Sequence, residues 1–186
     1  MKVTTRSTLK QVAAAVARAL HDAGIRAVLT GGACATIYSG GAYQSEDLDL
    51  ILQSSPSQKE LDAAMATIGF VRRQRDTYHH PESRFFVEFP LGPLSIGSDL
   101  SVKPAEIAIA GVRVTLLSAT DSCRDRLAAF YHWKDRQSLK AAVAVAVRNP
   151  VDLDRTRSWS AREGAAREFE EFEEAVRRAR ASRRRR

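Results

Sequence analysis

The chain has 186 residues, enough for one substantial domain or for a compact domain with a smaller appendage. Its composition, 44% hydrophobic and 27% charged, excludes an intrinsically disordered protein, and no apolar run approaches the ~20 residues that a membrane-spanning helix needs. The formal net charge of +7 comes from the C-terminus, because residues 177–186 contain seven arginines and no acidic residue. The remaining 176 residues are neutral as a whole.

The N-terminus and the cysteines bear on the cellular compartment. The first residues lead into an amphipathic segment, so we do not expect a secretory signal. Cys34 and Cys123 are the two cysteines, which makes a disulfide framework improbable and fits a reducing cytoplasm. We predict a cytoplasmic protein without a membrane partner.

The first part of the chain mixes helical and strand patterns. Apolar residues three or four apart indicate helices, and alternating or short apolar runs bounded by glycine indicate strands. In chain order the patterns predict a helix over residues 7–23, a strand over 25–29, a helix over 33–39, a strand over 45–52, a helix over 57–68 with a Ser57–Glu60 capping box, and strands over 70–78, 84–89, 106–109 and 112–117.

The rest of the chain is helical by pattern. Helices are predicted over residues 119–133, 136–148 and 161–181. We therefore predict an α+β fold, with a mixed core over residues 1–117 and a helical region packing on it over residues 118–176. Residues 177–186 are predicted to be a basic, disordered tail that either adds salt-sensitive affinity for RNA or acts only as a solubilising end.

Two short motifs, Gly31-Gly32 and Asp47-Leu48-Asp49, are the strongest indication of a binding site in this sequence. Two glycines between a strand and a helix let backbone N–H groups approach an anion such as a triphosphate. Two aspartates at alternate strand positions share one face about 7 Å apart, while the leucine between them faces the other way.

Two neighbouring carboxylates repel each other unless a cation lies between them. Magnesium prefers few carboxylates together with phosphate oxygens, so this pair suits Mg²⁺ bound to a nucleoside triphosphate. Such a site usually has a third acid. Glu88 is the best candidate, because its aromatic and apolar neighbours make a carboxylate there costly unless it is paired or binds metal. Asp76 and Asp99 are weaker candidates.

Gly31-Gly32 followed by Asp47-Leu48-Asp49-Leu50 resembles the signature of the DNA polymerase β-like nucleotidyltransferase superfamily. Within it the chain looks closest to small bacterial AbiEii-type toxins and minimal nucleotidyltransferases. The resemblance implies a mixed β-sheet core flanked by helices, and transfer of a nucleoside monophosphate to a hydroxyl. It also implies that Asp47 and Asp49 are metal ligands, that Glu88 is the third acid, and that the glycines cradle the phosphates.

The resemblance further implies cations on the helix around residue 126 that reach the triphosphate. The candidates are Arg124, Arg126, Lys134 and Arg136. We assign Arg124 and Lys134, with Ser45 next to the aspartates, to the nucleotide site. For each helical cation the alternative is a solvated face paired with nearby acids.

The sequence therefore predicts a magnesium-dependent nucleotidyltransferase acting on tRNA or other RNA, a protein or a small molecule. A toxin role with a cognate antitoxin is a further hypothesis. The alternative is a catalytically inactive nucleotidyltransferase-like domain that binds nucleic acid or a partner. Tyr131 and Trp133 could stack a base, but their spacing is more typical of a helical core.

Overall fold

The structure, a computed structural model, describes residues 2–183, and this part of the chain forms seven helices and seven strands. The helices are α1 (Leu9–Asp22), α2 (Gly31–Tyr38), α3 (Gln58–Ala66), α4 (Ala119–Trp133), α5 (Arg136–Arg148), α6 (Leu153–Arg162) and α7 (Ala166–Arg183). The strands are β1 (Ala27–Leu29), β2 (Asp47–Leu52), β3 (Val71–Arg72), β4 (Thr77–His79), β5 (Phe86–Glu88), β6 (Ala105–Ile109) and β7 (Val112–Leu116).

The strands form one mixed sheet in the order β3-β4-β5-β2-β1-β7-β6. Central strand β2 runs antiparallel to β1 and parallel to β5. Leu48 and Leu50 of β2 are buried on the side of α1, where they line the same cavity as Ala13 and Ala17. The alternation of β2 thus turns its two aspartates to the opposite face.

The two halves of the chain share one hydrophobic core. Helix α1 packs on β7 and α3, while α2 packs on β2, α4 and α5. Buried side chains from α2, such as Cys34, belong to the same cluster as Cys123 and Leu127 of α4. The predicted mixed sheet flanked by helices is confirmed. No helix within residues 2–183 has the length and apolar character needed to span a membrane.

Capping explains where several helices begin. Thr8 and Gln11 form a capping box at α1, and the predicted box of Ser57 and Glu60 is present at α3, where Ser57 N lies 2.7 Å from a Glu60 carboxylate oxygen. These reciprocal bonds satisfy N–H groups that would otherwise lack a partner at the helix start.

Three segments differ from the sequence predictions. The strand expected over residues 70–78 is two short strands, β3 and β4, joined by a turn. The helix expected over residues 161–181 is α7, which begins at Ala166, and an unpredicted helix, α6 (Leu153–Arg162), precedes it and ends before Gly164 (φ 72°). Helix α7 also continues through residues 177–183 of the expected disordered tail; residues 184–186 lie outside the described residues.

The last arginines of α7 help to hold α5. Arg180 donates to the carbonyl oxygen of Ala146 at 2.8 Å, and Arg183 donates to that of Val147 at 3.3 Å. These carbonyls belong to the last turn of α5, which has no intrahelical donors for them. Part of the basic C-terminus is therefore structural.

Arg124 is an ion-paired arginine inside the core. Its side chain is 1% exposed, it donates to Asp121 at 2.8 Å and to Asp99, and its guanidinium lies 4.8 Å from the centre of the Trp159 ring. Arg155 is also 3.1 Å from Asp121. The network ties α4 to α6 and to the loop before β6.

We expect Arg124→Ala to lower the free energy of unfolding by about 3 kcal/mol, because it leaves buried carboxylates without their main counter-charge. The control is Lys134→Ala, which removes an exposed pair with Glu168 and should cost less than about 1 kcal/mol. Urea unfolding of both variants measures the difference. A loss for Arg124→Ala that is as small as the loss for Lys134→Ala would contradict the prediction.

Candidate active site

Three carboxylates lie together where β2 and β5 run side by side. The parallel register pairs Asp47 with Phe86 and Asp49 with Glu88. Neighbouring strands are about 4.8 Å apart, so the side chains of Asp49 and Glu88 lie next to each other on the same face, with Asp47 two positions along. All three are partly buried. The structure therefore brings together the three predicted acids.

The predicted glycine corner packs directly against these acids. Gly31 has φ +63°, and a Cβ there would overlap the Asp49 carboxylate, lying 2.9 Å from its Cγ. A Cβ on Gly32 would lie 3.0 Å from Ser45 Cβ and 3.4 Å from the Tyr43 hydroxyl. Position 31 therefore requires glycine, a Cβ at position 32 would crowd the Ser45 side chain, and the start of α2 faces the acidic cluster.

Backbone bonds hold this corner in place. Thr30, the residue before the glycines, donates its N–H to the carbonyl oxygen of Asp49 at 2.9 Å. The N–H of Ser45 is bound by the Thr36 hydroxyl of α2 at 3.0 Å. Helix α2 and strand β2 are thus fastened to each other on both sides of the aspartate pair.

Ser45 orients one of the aspartates, because its hydroxyl donates to Oδ1 of Asp47 in a short hydrogen bond. The predicted contact of Ser45 with a nucleotide remains a prediction. Across the cluster, the Thr77 hydroxyl lies 3.4 Å from Oε1 of Glu88. Each outer acid therefore has a hydroxyl neighbour.

Asp49 is the most perturbed member of the cluster. Burial raises its pKa to about 7, the charges of Asp47 and Glu88 add to that rise, and Arg126 opposes it. Near neutral pH this carboxyl is therefore close to half protonated. A bound cation would replace the proton and remove the repulsion.

Arg126 is the helical cation whose charge acts on the cluster, because it opposes the rise in the pKa of Asp49. Its side chain is 18% exposed, and its Nε and Nη2 lie 2.9 and 2.8 Å from Oδ2 of Asp125. Its neighbourhood also includes Tyr43 and Asp135. Burial raises the pKa of the Tyr43 hydroxyl, Asp47 and Asp135 raise it further, and Arg126 opposes the shift.

The assignment of Arg124 to the nucleotide site is a prediction that we correct, whereas the assignment of Lys134 stays a prediction. Arg124 is buried against Asp99 and Asp121, and the Lys134 ammonium lies 2.8 Å from Glu168 of α7. Arg136 likewise pairs with Glu171. Helical spacing contained the signal: Arg124 lies three residues before Leu127, on the apolar stripe that faces the core.

The acids fit a magnesium ion that arrives with phosphate groups. Within residues 2–183 no three His, Cys, Asp or Glu side chains form a ready-made metal cage. Mg²⁺ normally takes only one or two carboxylates and fills its other positions with water and substrate phosphates. The adjacent, repelling carboxylates of Asp47 and Asp49 match that requirement.

Gly31→Ala should disrupt the site, because the added Cβ would displace the Asp49 carboxylate and the residue would be strained at positive φ. We expect a loss of about 2 kcal/mol or more in the free energy of unfolding. Gly41→Ala is a matched control: Gly41 also has positive φ (+83°), but nothing lies within 4 Å of its Cβ position. Denaturant unfolding should show a clearly smaller loss for Gly41→Ala; equal losses would mean that only backbone strain matters.

The raised pKa of Asp49 makes the metal-free protein less stable as pH rises. The folded state binds this proton more tightly than the unfolded chain, so the stabilisation is complete below about pH 4 and is lost between pH 4 and 7. Asp49→Asn mimics the neutral form. It should raise the free energy of unfolding at pH 8 by roughly 1–3 kcal/mol and change it little at pH 4.

Denaturant unfolding with a chelator present, from pH 4 to 8, measures this effect. The control is Asp154→Asn, at a side chain that is 92% exposed, which should change stability by less than about 1 kcal/mol at either pH. A difference between Asp49→Asn and wild type that is the same at pH 4 and pH 8 would contradict the prediction.

Comparisons with known proteins bear on the fold. No family model matches the sequence, and no curated protein matches it significantly. Among solved structures, the chain is similar to an antigenic nucleotidyltransferase-like protein from Paracoccidioides brasiliensis, with a TM-score of 0.56 and 20% identity over 74% of this chain and 73% of that one. It is also similar to the antibiotic-resistance factor ANT(2'')-Ia, with a TM-score of 0.50 and 14% identity over 90% and 94% of the two chains. The chain therefore has a nucleotidyltransferase-like fold.

Proposed function

We propose that this chain is a magnesium-dependent nucleotidyltransferase, which moves a nucleoside monophosphate from a nucleoside triphosphate to an acceptor hydroxyl. One observation carries the proposal. The parallel pairing of β2 and β5 places Glu88 beside Asp49, and the Asp49 carboxylate lies directly against the backbone of Gly31. Carboxylates of this kind next to a glycine corner suit a cation and a polyphosphate together.

Each residue then has a physical role. Asp47 and Asp49 would hold Mg²⁺, which would stabilise charge on the phosphates and on the departing pyrophosphate. The N–H groups of Gly31 and Gly32 would bind phosphate oxygens. Glu88 would position the attacking hydroxyl and accept its proton, while the hydroxyl oxygen bonds to the α-phosphorus as the bond to the pyrophosphate breaks.

Arg126 would supply a positive charge near the phosphate oxygens. Phosphoryl transfer spreads negative charge over phosphate oxygens, and a fixed cation near them lowers the barrier. The ion pair with Asp125 fixes the guanidinium, and partial burial strengthens its field. This role replaces the one that the sequence suggested for Arg124.

Three classes of molecule could supply the acceptor hydroxyl. RNA, including tRNA, is favoured by the arginines of residues 177–186, which could release counterions on binding. A protein hydroxyl or a small molecule are the other classes. The resemblance to AbiEii-type toxins extends the proposal to a toxin role with a cognate antitoxin as partner.

A catalytically inactive binding module is the second candidate. It is favoured by the surface between α5 and α7, a groove of about 560 Å³ with an apolar floor that includes Val143 and Val147. Its rim is basic and includes Lys140, Arg148 and Arg183. An acidic partner would be complementary to such a groove.

The deciding measurement is calorimetry of ATP, CTP, GTP and UTP with magnesium. Wild type should bind at least one of them only when the metal is present. Asp47→Ala/Asp49→Ala should weaken binding by more than about 10-fold, since even residues that only support metal ligands cost that much. Glu46→Ala, which removes an exposed acid next to Asp47, is the control and should bind like wild type.

Transfer is then tested with α-phosphate-labelled triphosphates and separate RNA, protein and small-molecule fractions. Label in one fraction identifies the acceptor class. Metal-dependent binding without transfer to any fraction favours the inactive module. Binding that is unchanged in the double variant would show that the nucleotide site lies elsewhere.

A further inference from the structure

The side chain of Tyr43 lies against the glycine corner. A Cβ added to Gly32 would lie 3.4 Å from the Tyr43 hydroxyl, so this hydroxyl is next to the first turn of α2. The Tyr43 ring is partly buried and packs against the hydrophobic core, which holds the hydroxyl at that place. Tyr43 is therefore a member of the candidate active site by direct proximity.

The chain reverses after α2 and brings Tyr43 back towards the helix start. Gly40-Gly41, with φ of 60° and 83°, allows the chain to turn back along α2. The N–H of Tyr43 then donates to the hydroxyl of Ser39, a fully buried residue, at 3.2 Å. The next contact is that of Ser45, whose N–H donates to the Thr36 hydroxyl at 3.0 Å. The segment that carries Tyr43 is thus fastened to α2 on both sides.

The first turn of α2 presents backbone donors to the same place. Its first backbone bond runs from the N–H of Cys34 to the carbonyl oxygen of Thr30 at 3.2 Å, so the N–H groups of residues 31–33 have no acceptor inside the helix. The Thr30 side chain forms no capping bond within residues 2–183. All three residues of that first turn are buried. A buried, uncapped helix start of this kind binds anionic groups, which accept from its N–H groups.

The Tyr43 hydroxyl is available to a ligand. Three other hydroxyl groups near this corner already donate to protein oxygens: those of Thr30, Thr36 and Ser45. The hydrogen bonds that Tyr43 makes with other residues in the described part of the chain use only its backbone. Its hydroxyl can therefore donate to an anion that lies at the start of α2.

We propose that the Tyr43 hydroxyl donates a hydrogen bond to the pyrophosphate part of the bound nucleoside triphosphate. This rests on the proposed function. Gly31 lies against the Asp49 carboxylate, where the acids act on the α-phosphorus. Gly32 lies instead next to Tyr43. The phosphates beyond the α-phosphorus extend from the first glycine towards the second and so reach the tyrosine, which binds them in the substrate and in the departing pyrophosphate.

The test compares the nucleoside triphosphates that wild type binds with inorganic pyrophosphate, which has no nucleoside. Tyr43→Phe keeps the ring and removes only the hydroxyl. In calorimetry with magnesium it should weaken the binding of both ligands by roughly 10- to 100-fold, because it removes a hydrogen bond to a charged oxygen. Its midpoint of urea unfolding should equal that of wild type, because the hydroxyl bonds to no other part of the described chain.

Tyr38→Phe is the matched control. It also removes one tyrosine hydroxyl from the neighbourhood of α2, but this hydroxyl donates to the carbonyl oxygen of Leu117 at 2.9 Å. The control should therefore lower the midpoint of urea unfolding and leave both affinities unchanged. The two variants are expected to show opposite patterns, one in binding and the other in stability.

The outcomes separate this inference from the proposed function. If Asp47→Ala/Asp49→Ala weakens triphosphate binding and Tyr43→Phe does not, the inference is overturned and the metal site stands. The inference is also overturned if wild type binds triphosphates but not pyrophosphate, or if Tyr43→Phe weakens only the triphosphates, since the hydroxyl would then contact the nucleoside. A fall in the unfolding midpoint of Tyr43→Phe as large as that of Tyr38→Phe would make the hydroxyl structural and overturn it as well. If wild type binds neither ligand, both proposals fall.

Discussion

The arrangement of the whole site depends on carboxylates that repel one another at a fixed distance. Asp47 and Asp49 cannot move apart, because Leu48 and Leu50 anchor β2 in the core and Gly31 leaves no space behind Asp49. Burial does most to raise the pKa of Asp49, and the charges of Asp47 and Glu88 raise it further. Rigid, partly desolvated carboxylates have a high affinity for a cation, since no side chain has to be reorganised to receive it.

Helix α4 connects this cluster with the helical half of the chain. Two of its arginines, Arg124 and Arg126, lie in different surroundings. Arg124 faces the core and fastens the helix to α6 and to the loop before β6 through buried ion pairs. Arg126 lies on another side of the helix, and its charge lowers the pKa of Asp49. A change in the core packing around Arg124 would therefore also move Arg126, because both side chains belong to α4.

Local patterns account for most of the elements. Helix α5 occupies the predicted residues 136–148, and the hairpin of β6 and β7 and the capping box of Ser57 lie where their patterns indicated. Spacing of two along a strand also sufficed to put Asp47 and Asp49 on one face. The largest error was a missed helix, α6, which Gly164 (φ 72°) separates from the predicted helix α7.

By itself, the sequence determined the sheet-and-helix architecture, the aspartate pair and the glycine corner, because these follow from periodicity and from what glycine alone can do. Only the tertiary structure decided that β5 runs parallel to β2 with Glu88 beside Asp49, since strand pairing joins residues far apart in the chain. It likewise decided that Arg124 is buried in ion pairs, and that Tyr131 is in the core whereas Trp133, for which the spacing also favoured the core, is in solvent. The roles of neighbouring side chains on one helix depend on what packs against each face, which the helix sequence does not contain.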